Sequence, residues 1–363
     1  MKFRCERDVL VEALGAAGRA VTTRGALPVL QGVHLELSGD RLRVTGSDLD
    51  LTISVTATVA GNSDGVAVLP AKLVTDVVRS LRPGAVDVSV DDDDARIVAA
   101  PSEFAIRVVP ADDFPQLPEP DGDAVTLDAA AFREALRQVV PAASSDDARP
   151  ILTGVLMAAE ADGLRLVATD SYRLAVRDLP GTSVLGEGQH VLVPSRALTE
   201  LGRVIGDGTD LTLRLGDRDA RFEVGDVTVA TRLIEGDFPN YRGLIPQNHP
   251  NRLTVPRDDL LEAVKRVRLL AQESTPVRLA MSADGLELVA VTQDIGQAHE
   301  SVPARYEGTD LTVAFNPEYL LDGIEAAGGD EITLETVDEL KPALIRSVGD
   351  DSYLYLLMPV RVS

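Results

Sequence analysis

Pro28-Val29-Leu30-Gln31-Gly32-Val33 returns as Pro150-Ile151-Leu152-Thr153-Gly154-Val155 and, more faintly, as Pro276-Val277-Arg278-Leu279-Ala280-Met281. The spacing is about one third of the 363-residue chain. Other anchors keep the same order. Asp40-Arg41-Leu42-Arg43-Val44 matches Asp162-Gly163-Leu164-Arg165-Leu166 and Asp284-Gly285-Leu286-Glu287-Leu288. Pro70-Ala71-Lys72-Leu73 matches Pro194-Ser195-Arg196-Ala197-Leu198 and Pro317-Glu318-Tyr319-Leu320-Leu321. Phe114-Pro115, Phe238-Pro239 and Met358-Pro359 close the three copies. Solenoid and propeller repeats run roughly 20–50 residues, so a period this long is a domain that holds its own core.

Each copy opens with an amphipathic pattern at helical spacing: Asp8 to Ala20, Asp128 to Val140, and Arg257 to Leu270, with Asp8 a candidate N-cap. A second helix is expected after each proline, at Ala71 to Leu81, Ser195 to Ile205 and Pro317 to Ala327. Between them lie alternating runs around tight turns, such as His34 to Leu37 and Arg41 to Val44 about Ser38-Gly39-Asp40. Each third therefore reads β-α-β-β-β twice. Linkers fall at Pro115 to Pro120 and Pro246 to Pro250.

No catalytic constellation emerges. His34, His190, His249 and His299 are far apart and lack a second ligand at metal spacing, so no metal or cofactor is expected. Cys5 is the only cysteine, which excludes an intrachain disulfide and suits a reducing cytoplasm. No apolar stretch is long enough to span a bilayer, so no membrane partner is expected. Asp91-Asp92-Asp93-Asp94 reads as a solvated hairpin turn rather than a cation loop. Asp48 and Asp170, with Asp294 as their third counterpart, read as strand-end caps. A composite enzyme site between domains remains the rival from another class.

The net charge of −23 argues against generic adhesion to nucleic acid, but the charge is unevenly placed. In the first five helical segments Arg and Lys outnumber Asp and Glu. The sixth carries Glu318, Asp322 and Glu325 and no basic residue. Basic helices without interleaved aromatics fit a sequence-independent polyanion contact.

The chain resembles the bacterial sliding clamp, the beta subunit of the DNA polymerase III holoenzyme. The likeness runs the whole length and rests on Met1-Lys2-Phe3, Leu27 to Leu30, Thr45 to Leu49, Ala168 to Ala175, Gly236 to Tyr241, Phe315 to Leu320 and Leu357 to Arg361. It implies an α+β fold of three clamp domains, at 1–120, 121–250 and 251–363, each with helices on one side of antiparallel sheets. Two chains would close head to tail into a six-domain ring around duplex DNA. Such a chain is a non-catalytic processivity factor that binds DNA without sequence specificity. Its partners would be polymerase subunits, the clamp loader and repair proteins, which engage through short linear motifs.

Carried over residue by residue, the resemblance implies a peptide groove whose central segment is Leu152, Thr169, Ser171, Tyr172, Arg173 and Leu174. Pro239, Gly243 and Leu244 come from the following linker, Asn316 and Tyr319 from the last helix. Met358, Pro359, Val360, Arg361 and Val362 come from the chain end. Gly243 stands where many relatives carry a polar or basic side chain, and Val362-Ser363 where a leucine is usual. These departures raise the alternative of a diverged second clamp that resists a groove-directed inhibitor. For DNA contact the resemblance implies Arg24 and Arg149 in channel-facing loops, and Lys72, Arg79, Arg137, Arg196, Arg203 and Lys265 on the helices. For dimer closure it implies that Phe104 and Ile106 meet Leu269 and Leu270 of a second copy.

Overall fold

The six expected helices form close to the anticipated bounds in a computed structural model, which describes all residues except 23–26, 92, 116–119, 207, 209, 247, 272–274 and 362–363. The first repeat runs β1 (Lys2–Glu6), α1 (Arg7–Gly18), β2 (Gly32–Ser38), β3 (Arg41–Ser47), β4 (Leu51–Thr58), β5 (Ala60–Ser63), β6 (Gly65–Pro70), α2 (Ala71–Ser80), β7 (Ala85–Val90), β8 (Asp94–Ala99) and β9 (Ser102–Arg107). The second runs β10 (Val125–Leu127), α3 (Ala129–Val139), β11 (Gly154–Glu160), β12 (Gly163–Thr169), β13 (Arg173–Pro180), β14 (His190–Pro194), α4 (Ser195–Val204), β15 (Leu211–Leu215), β16 (Asp219–Val224) and β17 (Val227–Arg232). The third runs β18 (Asn251–Pro256), α5 (Arg257–Arg268), β19 (Val277–Ser282), β20 (Gly285–Thr292), β21 (Gly296–Val302), β22 (Arg305–Glu307), β23 (Leu311–Phe315), α6 (Pro317–Ala326), β24 (Glu331–Thr336), β25 (Ala343–Ser347) and β26 (Asp350–Leu357).

Three copies in the sequence become two compact units, Met1–Ala130 with Arg196–Leu233, and Ala131–Ser195 with Ile234–Ser363. Strand pairing is the reason. In the first unit β4 pairs with β17, fusing two half-sheets into the order β10-β15-β16-β17-β4-β3-β2-β6. A second sheet of this unit runs β5-β1-β7-β8-β9. In the second unit β13 pairs with β26, giving β14-β11-β12-β13-β26-β25-β24-β18-β22, beside a smaller sheet β21-β20-β19-β23. The hydrogen bonds thus cross the repeat boundaries, which a repeat pattern alone does not reveal.

Helix α1 buries Leu10, Ala13, Leu14 and Ala17 against β3, β4 and α2. The apolar spacing every three or four residues makes that one stripe. In the second unit α5 packs against β20, β21 and α6, while α6 lies on β26. Gly323 permits that last approach, because a Cβ there would lie 2.5 Å from the Tyr355 ring. Among the described residues no helix is long and apolar enough to cross a membrane, and no group of three or more metal-ligating side chains occurs.

Two expectations need correction. Asp8 is not the N-cap: α1 begins at Arg7 after Glu6, which makes no side-chain cap. Asp8 instead sits in the first turn, where a carboxylate favours the positive end of the helix, and pairs with Arg7. Asp294 is not the counterpart of Asp48 and Asp170. It shares positive φ (+64°) with Leu49 and Ser171 (both +82°), the residues that follow those aspartates. Gln293 therefore holds the capping position of the third repeat. Asp48 and Asp170 do cap: Asp48 Oδ1 accepts the Asp50 and Leu51 amides, and Asp170 Oδ1 accepts those of Tyr172 and Arg173. Asp91 closes the acidic hairpin by accepting the Asp93 and Asp94 amides, while Asp92 lies outside the described residues.

Candidate binding groove

The floor of the groove comes from the outer face of the joined sheet in the second unit. Thr169 on β12 stands opposite Leu174 on β13, which stands opposite Leu356 on β26. One step along, Leu156, Val167, Val176 and Leu354 form a parallel row across four strands. Residues opposed in register share a face. These side chains join Leu192, Tyr241 and Leu344 in one buried cluster. Ile151, Ile234, Phe238 and Ile245 pack over it, so the linker after β17 folds onto the floor. Two cavities, of about 300 and 380 Å³, flank Tyr241 and Arg242. The first reaches Val176, Ile245 and Leu354, the second Leu156, Phe238 and Pro239.

The rim begins at the Asp170 cap. Ser171 at positive φ turns the chain, and the next side chain, Tyr172, is 59% exposed. Arg173 turns inward: Nε donates to Asp170 Oδ2 at 3.0 Å and Nη1 to Asp322 of α6. Burial opposes the Arg173 charge, but Tyr355 and Asp322 more than offset it and raise the guanidinium pKa. The guanidinium lies 4.3 Å from the Tyr319 ring centre, and Tyr172 stacks on Tyr319 with ring centres 6.4 Å apart. Asn316 caps α6 by accepting the Glu318 and Tyr319 amides, and the Tyr355 hydroxyl donates to Tyr319 O at 2.8 Å. Burial, then Asp170, raises the Tyr319 pKa, so its phenol stays neutral. The chain end is strapped in place by Met358 N–H to Tyr172 O at 2.9 Å and Val360 N–H to Ala314 O at 2.8 Å.

Thr169, Ser171, Tyr172, Arg173, Leu174, Asn316, Tyr319 and Met358 thus come together around one rim and floor. Tyr172, Leu244, Met358 and Val360 leave substantial apolar surface in water. Leu152 is buried, and its neighbour Ile151 is the residue that packs on the floor. Pro239, Gly243 and Arg361 are exposed, Pro359 is half-buried, and Val362 lies outside the described residues. A Cβ at Gly243 would meet nothing within 4 Å, so packing does not demand glycine there. The sequence reading missed Leu356, Val176, Leu354 and Tyr241, and the Asp170 and Asp322 grip on Arg173. A signal was present for two of them: Tyr353 to Leu357 on β26 is a continuous apolar run, the mark of a strand buried on both faces.

The basic residues are less free than their sequence positions suggest. Arg137 pairs with Glu134 and donates to the Glu325 and Ala326 carbonyls at the end of α6. Arg149 pairs with Asp146 and reaches Ser171 Oγ at 3.2 Å. Arg196 pairs with Asp48, Arg203 with Glu200, and Lys265 with Glu262 and Glu325. Lys72 and Arg79 are exposed and carry no ion pair among the described residues, which exclude Arg24. The Arg149 and Lys265 pairs are exposed on both sides and worth only about 0–1 kcal/mol, so a phosphate could displace their carboxylates, whereas Asp48 and Glu200 are largely buried. Of the four dimer candidates, Leu269 is 83% exposed, Phe104 partly exposed and Leu270 half-buried, whereas Ile106 is buried within its own unit.

Three family models cover the chain in order: the N-terminal, central and C-terminal domains of the DNA polymerase III beta subunit, at residues 1–118, 126–240 and 242–361. The chain is 34% identical to the beta sliding clamp of Streptomyces coelicolor over the full length of both. Among solved structures it matches the DNA polymerase sliding clamp of Bacillus subtilis at 30% identity and TM-score 0.92, covering both chains completely. It matches equally fully a Bartonella birtlesii sliding clamp bound to griselimycin, at 32% identity and TM-score 0.92.

Proposed function

The chain belongs to the beta sliding clamp family, the beta subunit of DNA polymerase III, and on that premise we propose how its own residues do the work of a DNA sliding clamp. Two copies close head to tail into a ring around duplex DNA. The clamp domains divide near residues 120 and 250, within the two linkers. A topological link needs little affinity and no base readout, so exposed cations that exchange between carboxylates and phosphates suit sliding. Arg149, Arg196, Arg203 and Lys265 act in this way, Lys72 and Arg79 offer cations without an ion pair among the described residues, and Arg24 takes the same role. Arg137 contributes chiefly by holding the end of α6. The chain itself catalyses nothing, needs no cofactor and works in the cytoplasm.

The groove captures linear motifs of polymerases, the clamp loader and repair proteins. One observation carries this reading: an apolar floor ringed by the exposed side chains of Tyr172, Leu244, Met358 and Val360. Leucine and aromatic anchors would enter the cavities beside Tyr241, and Tyr172 and Arg173 would set the orientation of the peptide. Griselimycin, with which the Bartonella relative was solved, is expected to compete for the same surface. The test is titration of a fluorescent peptide carrying a polymerase clamp-binding motif, with mass by light scattering in the same sample. A dimer that binds at micromolar or tighter affinity is expected; a dimer with no affinity for peptide or griselimycin would refute the groove.

A further inference from the structure

The groove floor changes character along its strands. Thr169 and Leu174, then Val167 and Val176, face one another across β12 and β13, and the next pair on that face is Arg165 and Asp178. On β26 the same steps run from Leu356 through Leu354 to Ser352. Two apolar rows therefore end in a polar one, since residues two apart along a strand share a face. The cavity of about 300 Å³ stands over this boundary, with Val176 and Leu354 on one side and Arg165, Asp178 and Ser352 on the other. Tyr241, Arg242 and Arg346 add to its walls.

One atom there is out of balance. Tyr241 is 6% exposed, and its buried hydroxyl finds no acceptor among the described residues. Asp178 raises the pKa of the neighbouring Arg165 guanidinium against its burial, with Tyr241 adding to the rise, but a guanidinium has only N–H groups to offer the phenol. A buried donor left without an acceptor costs free energy until a ligand supplies one. The guanidiniums are also unevenly spent. Arg165 gives two N–H groups to Asp178, at 2.6 and 2.8 Å. Arg242 is exposed, lies 5.7 Å from the Tyr241 ring centre and pairs with Glu160, which Arg165 also approaches at 3.6 Å. Arg346 shares Glu335 with Arg252 and His249. Against these donors the walls set Asp178, already occupied, and Asp351, which is exposed to water.

We propose that this cavity is a subsite for a carboxylate, the acidic side chain of a bound linear motif, received by the Tyr241 hydroxyl and the Arg242 guanidinium. The proposal rests on the peptide groove above and adds a charged contact to its apolar ones. The motif lays its apolar anchors on the two apolar rows, and its acid reaches the polar row. Arg242 swings from Glu160 to the incoming carboxylate, exchanging one ion pair for another and opening the way to the hydroxyl. No other Arg or Lys lies between Gly236 and Pro250, so the contact hangs on this one side chain of the linker. Hydrogen bonds to an ionised acceptor are shorter and stronger than neutral ones, so a carboxamide of the same shape is a poor substitute.

Fluorescent peptides carrying a polymerase clamp-binding motif, amidated at the C-terminus, separate this contact from the rest of the groove. Each has glutamate two residues before the first apolar anchor or two residues after the last, and each has a glutamine twin. At one of the two positions the glutamate peptide should bind the parent dimer about tenfold tighter than its twin. Tyr241→Phe and Arg242→Gln should each shrink that preference to less than about threefold. Twins that bind alike at both positions overturn the subsite and leave the groove standing. A dimer that binds none of the peptides overturns the groove and the subsite with it. A preference that survives both substitutions puts the acid elsewhere and overturns the assignment. Tyr241→Phe should also unfold at or above the parent's urea midpoint, because it deletes a hydroxyl that lacks an acceptor. A lower midpoint would show that the hydroxyl is already satisfied within the fold, and the subsite would lose its basis.

Discussion

At corresponding positions of the two joined sheets, the first unit has Thr45, Ser54 and Thr228 where the second has Val167, Val176 and Leu354. Ser47, Thr52 and Ala230 likewise stand where Thr169, Leu174 and Leu356 stand. The backbone is the same: Arg232 N–H reaches Asp50 O in one joint as Met358 N–H reaches Tyr172 O in the other. In the first unit hydroxyls satisfy each other across the strands, Thr45 with Ser54 at 2.9 Å and Ser47 with Thr52 at 2.8 Å. That surface can remain wet. In the second unit, Thr169 apart, these positions are apolar, so the face needs a cover. The linker supplies part of it and leaves Tyr172, Leu244, Met358 and Val360 exposed. One fold can thus repeat a joint without repeating its function.

Exchanging the two faces should have the largest effect. Leu174→Thr with Leu356→Ala gives the second unit the residues of the first. Peptide affinity should fall on the order of 100-fold, since the central desolvated contacts of an interface carry most of its energy. Retained affinity in the peptide titration would break the contrast between the faces.

A second comparison concerns the aspartate caps. Asp170 is held by Arg173, whose side chain is 10% exposed, whereas Asp48 is held by Arg196, 53% exposed. Arg173→Ala should cost about 2–4 kcal/mol in urea unfolding, because Asp170 and Asp322 lose a mostly buried partner. Arg196→Ala should cost less than about 1 kcal/mol. Equal costs would show that burial does not separate the two grips.

The smallest effect is expected at His34, which lies 4.9 Å from the Phe114 ring on the polar face. Burial lowers its pKa below the ordinary 6.5, with Glu36 opposing and Arg43 reinforcing the shift. The unfolded chain therefore takes up this proton before the folded one. Stability from His34 is full above pH about 6.5 and declines as pH falls through that value towards the folded pKa. His34→Gln should flatten the unfolding midpoint between pH 7 and 5 relative to the parent chain.

Much of this was legible in advance. Regular apolar spacing located α1, α3 and α5, because a helix that must bury one stripe writes its period into the chain, and the proline at the start of each second helix located α2, α4 and α6. The Asp48 and Asp170 caps were legible because their bonds are local. Asp294 misled because proximity in sequence stood in for backbone conformation, and only the positive φ shows that Gln293 holds the position. Leu356 and Leu354 were missed because a buried leucine at a site and one in a core look alike along a single strand. They become a groove floor only when β26 lies beside β13.

The sequence by itself determined three copies of one folding unit with their helices and hairpins. Each of these is encoded within a few residues or recurs at a fixed period. The tertiary structure alone decided which half-sheets join and which of two equivalent faces is apolar. It also decided that Arg173 and Arg137 serve the fold before any ligand. Those outcomes depend on hydrogen-bonded register between strands more than a hundred residues apart, and register is a property of the pair, not of either strand.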